Sequence, residues 1–141
     1  MNIISDEVLK KKYDQLHQKF VKGNFSEVIR ECNKILKKRK HQLFFNLLSI
    51  AYQKNGEIEK SIDVMREALA LNPNHPNFLN NIGMSFYKLH KYSEAKKYYE
   101  KGLEIDNRHL HILNNLGNLK RETNKIEESI EYYKKVLSIQ H

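Results

Sequence analysis

The segment NNIGMSFYK at residues 80–88 is echoed by NNLGNLKRE at 114–122, thirty-four residues later. A fixed interval of this size marks a chain built from stacked units, none of which can shelter its apolar side alone. Shifted by that interval, Leu79, Ile82, Gly83, Ala95, Tyr99, Leu103 and Ile105 fall on Leu113, Leu116, Gly117, Ser129, Tyr133, Leu137 and Ile139. Going backwards, Phe45, Leu48, Ser49, Tyr52, Gly56, Ser61, Met65, Ala68, Leu69, Leu71 and Pro73 take the equivalent slots. A looser fourth copy runs through Leu16, Gly23, Phe25, Val28, Cys32, Ile35 and Leu36, thirty-three residues from the next across its second half. The whole chain is therefore repetitive.

Each copy splits into two segments with apolar residues near i, i+3, i+4 and i+7, the spacing that lines one side of a helix. The pattern predicts helices over 6–22, 25–38, 42–54, 58–71, 76–89, 92–105, 109–123 and 126–139, paired as hairpins. Gly23, Gly56, His90 and Asn124 lie between the halves, and all are residue types that tolerate the positive φ a helix exit often requires. Pro73 and Pro76 lie where one copy hands over to the next, a place where an interrupted helix loses nothing.

Packing roles follow. Gly83, Gly117 and Ser49 on first helices are expected to face Ala95, Ser129 and Ser61 on second helices, small against small, so that the backbones approach closely. Phe45, Leu48, Tyr52, Leu79, Ile82, Phe86, Leu113 and Leu116 are expected in a continuous core. Cys32 shares its slot with Met65, Tyr99 and Tyr133, which reads as a small core hydrophobe rather than a nucleophile.

A length of 141 residues suits one domain. With 40% apolar and 30% charged residues and fourteen aromatics the chain should fold. MNIISDEVLKKK has no apolar core behind a basic start, and no apolar run approaches the roughly 18 residues that span a bilayer. A lone cysteine allows no internal disulfide, so the expectation is a soluble cytoplasmic protein without a membrane role. The formal charge of +8 is spread among glutamates, as in EKSIDVMREA, which is how a solvated helix face is written.

Chemistry-bearing groups are sparse. His109 and His111 would lie about 200° apart on a helix with no carboxylate or cysteine at ligand spacing, so neither metal nor cofactor is expected. Glu57, Glu59, Glu127 and Glu128 open second helices, where a carboxylate favours the dipole. KKRKH at 37–41 ends a helix, where cations meet unpaired carbonyls. In KYSEAKKYYEKG the register sends Tyr92 and Tyr99 into packing and leaves Tyr98 free, so nucleic acid is not an expected partner. No catalytic residues are expected.

The recurring Leu79, Ile82-Gly83, Phe86, Ala95, Tyr99 and Pro73 resemble the tetratricopeptide repeat family, whose unit is a thirty-four-residue helix-turn-helix. The resemblance covers nearly the whole chain and implies an all-α fold, a right-handed α-solenoid of about four helix-turn-helix repeats. A single domain over 1–141 is expected, with repeats near 9–41, 42–75, 76–109 and 110–141. Departures are Lys120 for an aromatic, Leu16 for a glycine and Asn107 for the terminal proline.

In that family the first helices line a concave groove. Carrying its groove slots over implies binding positions at Asn77, Asn80, Asn81, Met84, Tyr87 and Lys88. The following copy offers His111, Asn114, Asn115, Asn118 and Arg121, and the preceding one Asn46. Asparagine donates and accepts, so a ladder of amides can grip a peptide backbone of any sequence. The carboxylate clamp of chaperone-binding members would need five residues at slots held here by Asn46, Ile50, Asn81, His111 and Asn115; only Asn81 fits. The resemblance therefore implies a non-catalytic protein-protein interaction scaffold that takes an extended peptide or partner helix. An exposed C-terminal helix bearing Tyr133, Val136 and Leu137 adds an expectation of self-association. The alternative is the repeat portion of a larger enzyme, glycosyltransferase- or sulfotransferase-like, serving substrate recognition or oligomerisation.

Overall fold

A computed structural model describes residues 4–140. Among them are eight helices and no strand: α1 (Asp6–Val21), α2 (Phe25–Lys38), α3 (Gln42–Lys54), α4 (Ile58–Leu71), α5 (Pro76–Lys88), α6 (Tyr92–Ile105), α7 (Leu110–Glu122) and α8 (Ile126–Gln140). No boundary differs from the sequence reading by more than one residue. The start of α7 moves because His109 stands outside the helix and caps it with its side chain.

The turns inside the four copies share one hydrogen-bond pattern. Gly23, Gly56, His90 and Asn124 all have φ between 60° and 85°. In each turn the next residue donates its N–H to a carbonyl five positions back: Asn24 to Lys19, Glu57 to Tyr52, Lys91 to Phe86 and Lys125 to Lys120, at 2.7–3.0 Å. This closes a helix end by turning the chain through the left-handed region, where glycine is unstrained and asparagine and histidine are tolerated.

The chain packs as two compact units, one ending at Ala68 and the other starting at Leu69. In the first, α2 lies against α1 and α3, over a core of Leu9, Leu16, Val28, Cys32, Phe44, Phe45 and Leu48. Tyr13 meets Phe44 edge-on at 6.0 Å between ring centres, a favoured aromatic geometry. Asn33 donates to the Tyr52 hydroxyl at 3.1 Å. Burial, with Glu31 nearby, pushes the Cys32 thiol up to about 12, so it stays protonated and inert at neutral pH.

In the second unit α5 pairs with α6 and α7 with α8, while α7 also touches α5 and α6. Leu79, Ile82, Ala95, Tyr99, Ile112, Leu113 and Leu116 form its core. A Cβ on Gly83 would lie 2.5 Å from Cε1 of Tyr99, and one on Gly117 would lie 2.5 Å from Cε1 of Tyr133. The expectation that these glycines meet only small residues is therefore incomplete. Ser129 does reach Gly117, donating to its carbonyl at 2.9 Å, but an aromatic ring fills each glycine notch. Lys120 is buried, with Nζ 3.7 Å from the more exposed Glu128 carboxylate; its aliphatic stem occupies the aromatic slot while its charge reaches outward. Tyr98 is not free either, since its ring stacks on Phe86 at 5.6 Å and 5°. On α8, Val136 is buried, whereas Ile126, Ile130 and Leu137 are exposed.

Two stability changes follow. Gly83→Ala gains about 1 kcal/mol in helix propensity, but the buried Tyr99 ring cannot move aside, and overpacking costs roughly 1–3 kcal/mol. Urea denaturation should therefore show net destabilisation, relieved when Tyr99→Leu is added. Ser49 Oγ is buried with no hydrogen-bond partner, so Ser49→Ala should raise the unfolding free energy by about 1 kcal/mol.

Candidate functional site

The positions singled out on first helices in the second unit fall on α5 and α7, which are in contact. Asn77, Lys88, His111, Asn114 and Arg121 are exposed; Met84, Tyr87, Asn115 and Asn118 are half-buried; Asn80 and Asn81 are buried. In the first unit, Asn46 on α3 is half-buried. Five of these second-unit positions, Met84, Tyr87, Lys88, Asn115 and Asn118, line a partly open cavity of about 210 Å³ with Tyr99 of α6 as a further wall, while Asn77, Asn80, Asn81, His111, Asn114 and Arg121 do not line it. It is smaller than the roughly 300–1,000 Å³ typical of pockets for drug-sized ligands, and its walls are mostly apolar.

The amides are held in place by one another. Asn115 donates through Nδ2 to Oδ1 of Asn80 at 2.7 Å, and Asn80 in turn directs its Nδ2 at the Met84 sulfur at 3.6 Å. Tyr133, on α8, donates its hydroxyl to Oδ1 of Asn118 at 2.5 Å. Burial raises the Tyr87 phenol, with Glu122 adding to the effect and Arg121 opposing it. Burial likewise pushes the Tyr99 phenol up, so both phenols are neutral at physiological pH. Lys88 has no carboxylate within ion-pair distance among the described residues, which leaves a cation at the cavity.

Sequence reasoning placed Tyr99 in packing, set Tyr133 both in the equivalent slot and on the exposed C-terminal helix, and gave neither a part in the groove. It also missed the caps. His41, His75 and His109 recur at thirty-four-residue steps, and each imidazole Nδ1 accepts a backbone N–H at the start of a first helix, from Leu43, Phe78 and Ile112 respectively, at 3.2–3.4 Å. With Nδ1 accepting, the neutral His109 ring carries its proton on Nε2, which donates to Oδ1 of Asn77 at 2.7 Å. The signal was legible as spacing; the role required the cap geometry.

Helical hairpins closed by alike left-handed turns spaced thirty-three or thirty-four residues apart define an all-α helical-repeat protein of the solenoid class. Tetratricopeptide repeat profiles match residues 77–140 and 43–75, and the chain belongs to the tetratricopeptide repeat family. No curated protein sequence matches it. Among solved structures it is similar to a thermophilic tetratricopeptide repeat protein of Thermus thermophilus, at 17% identity and TM-score 0.82 over 89% of this chain and 71% of that one. It is also similar to MamA of Desulfovibrio magneticus RS-1, at 15% identity and TM-score 0.77 over 91% and 73%. The first repeat domain of human RPAP3 aligns at 22% identity and TM-score 0.74 over 83% and 93%. At such identities the likeness concerns the fold.

The histidine caps make stability depend on pH. Desolvation lowers the His75 and His109 pKa values below the ordinary 6.5, although Asp106 partly opposes this at His109. A depressed folded-state value means the unfolded chain binds more protons, so this contribution is whole above about pH 6.5 and is lost as pH falls through the folded-state values. Thermal midpoints should therefore drop between about pH 7.5 and 5. Replacing both histidines with asparagine, an N-cap that does not titrate there, should flatten that part of the profile.

Proposed function

We propose that the protein is a non-catalytic interaction scaffold whose second unit binds an extended segment of a partner protein along α5 and α7. The observation that carries this reading is the cavity between two neighbouring first helices, walled by Met84 and Tyr87 of α5 and by the amides Asn115 and Asn118 of α7, and bordered by Lys88. Amides offer both donors and acceptors to a peptide backbone, and the apolar walls offer burial for a side chain. Family membership supports a scaffold role, as does the inert, buried Cys32. Among the described residues no helix is long and apolar enough to cross a membrane, and none of their His, Cys, Asp and Glu side chains form a group able to hold a metal ion.

The test is pull-down from a lysate of its own cells, with mass spectrometry to identify captured proteins. Asn81→Ala, Asn115→Ala and Asn118→Ala combined should cut capture at least about tenfold while the helical circular dichroism persists. Because Asn81 is buried, the exposed Lys88→Glu change serves as a second variant that leaves packing intact and should also weaken capture. Unchanged affinity in both would remove the site from this wall.

A further inference from the structure

The two amides that line the cavity have their orientations set from outside it. Asn115 commits an Nδ2 hydrogen to Asn80, which leaves its Oδ1 as an acceptor toward a ligand. Asn118 commits an Oδ1 lone pair to the Tyr133 hydroxyl, which leaves its Nδ2 as a donor. Asn80 cannot turn over freely, because its own Nδ2 is directed at Met84. Asn115 thus keeps Oδ1 and a second Nδ2 hydrogen, and Asn118 keeps both Nδ2 hydrogens and a second Oδ1 lone pair, so the two amides, three residues apart on α7 and hence on one helix face, present acceptors and donors together. The remaining walls are Met84 and the rings of Tyr87 and Tyr99.

We propose that this cavity receives the side chain of a tyrosine in the bound segment, its ring against Met84, Tyr87 and Tyr99 and its hydroxyl between Asn115 and Asn118. This rests on the scaffold reading above and narrows it to one anchor residue. At about 30 Å³ per water, a space of about 210 Å³ displaces several waters for one large side chain and is too small for a dinucleotide or similar cofactor. A phenol both donates and accepts, so it satisfies Asn115 Oδ1 and Asn118 Nδ2 together; phenylalanine would leave both unpaired. A carboxylate would pair with Asn118 and Lys88 but would lose its water to the aromatic walls, and it would offer no donor to Asn115 Oδ1. Aromatic anchors with a polar tip suit such half-open, mostly apolar sites. Tyr133 is a positioning residue here, acting through Asn118.

The ¹⁵N-labelled 141-residue chain should be titrated with N-acetyl-tyrosine amide, N-acetyl-phenylalanine amide and N-acetyl-alanine amide, following the side-chain amide resonances of Asn115 and Asn118. The tyrosine compound should shift both and saturate in the millimolar range. The phenylalanine compound should bind about tenfold more weakly, since a site built for a hydroxyl penalises its loss, and the alanine compound should leave both resonances in place. Tyr133→Phe keeps the ring in the Gly117 notch but frees Asn118, so the preference for tyrosine over phenylalanine should shrink while overall binding persists. Equal binding of the first two compounds, or absence of shifts at Asn115 and Asn118, overturns the proposal. An aromatic-free octapeptide pool separates this from failure of the scaffold reading. If the pool binds the intact chain, and binding is lost in the triple asparagine variant, while the tyrosine compound gives no shifts, the anchor is wrong and the wall stands. If neither the pool nor the tyrosine compound binds, both readings fall.

Discussion

In the hairpins α5–α6 and α7–α8 the structure depends on how a first helix and the second helix that follows it divide the space between them. Positions sixteen residues apart do this. Gly83 is followed by Tyr99 and Gly117 by Tyr133, and in both pairs the ring lies where a glycine side chain would have been. The same offset gives Ser49 with Met65 and Leu16 with Cys32, all four buried. As the first partner grows, from glycine through serine to leucine, the second shrinks, from tyrosine through methionine to cysteine. A close-packed interior demands that sum to stay nearly constant. The first copy carries leucine where the family prefers glycine, and the residue sixteen positions later is the small Cys32.

Much of this architecture is legible in sequence because helix periodicity and turn chemistry are local. Gly23, Gly56, His90 and Asn124 share no side-chain chemistry; they share tolerance of a positive φ, and the backbone adopts it at all four. Treating them as one class located the helix ends to within a residue. Contacts across the hairpin were read less well. Pairing Gly83 with Ala95 rested on small residues facing each other, whereas the nearest side chain to the glycine notch is Tyr99. A ring entering from one turn further along is a matter of side-chain direction, which a repeat alignment does not encode.

The candidate wall divides in the same way. Which residues lie on α5 and α7 followed from register. Which amide atoms face outward did not, because Asn80, Asn115 and Asn118 are oriented by partners on other helices or turns, including Tyr133 on α8 and the Met84 sulfur. The capping role of His75 and His109 was obscured for another reason. Asparagine, aspartate, serine and threonine are the familiar N-caps, and a histidine pair near a helix start draws attention to metals, although an imidazole Nδ1 accepts a backbone N–H equally well when neutral.

In the proposed site, packing and recognition would be linked through the same two aromatic residues. Tyr99 fills the Gly83 notch with one part of its ring and lines the cavity with another. Tyr133 fills the Gly117 notch and, through its hydroxyl, fixes the donor face of Asn118. The hairpins α5–α6 and α7–α8 must be closed for the cavity to have its walls and for its amides to point as they do. Orientation is therefore established on folding, and binding at the proposed site would not bear the entropy of ordering those side chains. The exposed positions Lys88, His111, Asn114 and Arg121 carry no such obligation to the core, whereas Asn77 is tied to the capping His109. Substitutions at the four leave both hairpins undisturbed, so in the proposed site the rim would be free to set partner choice while the amides at its centre stay constrained by packing.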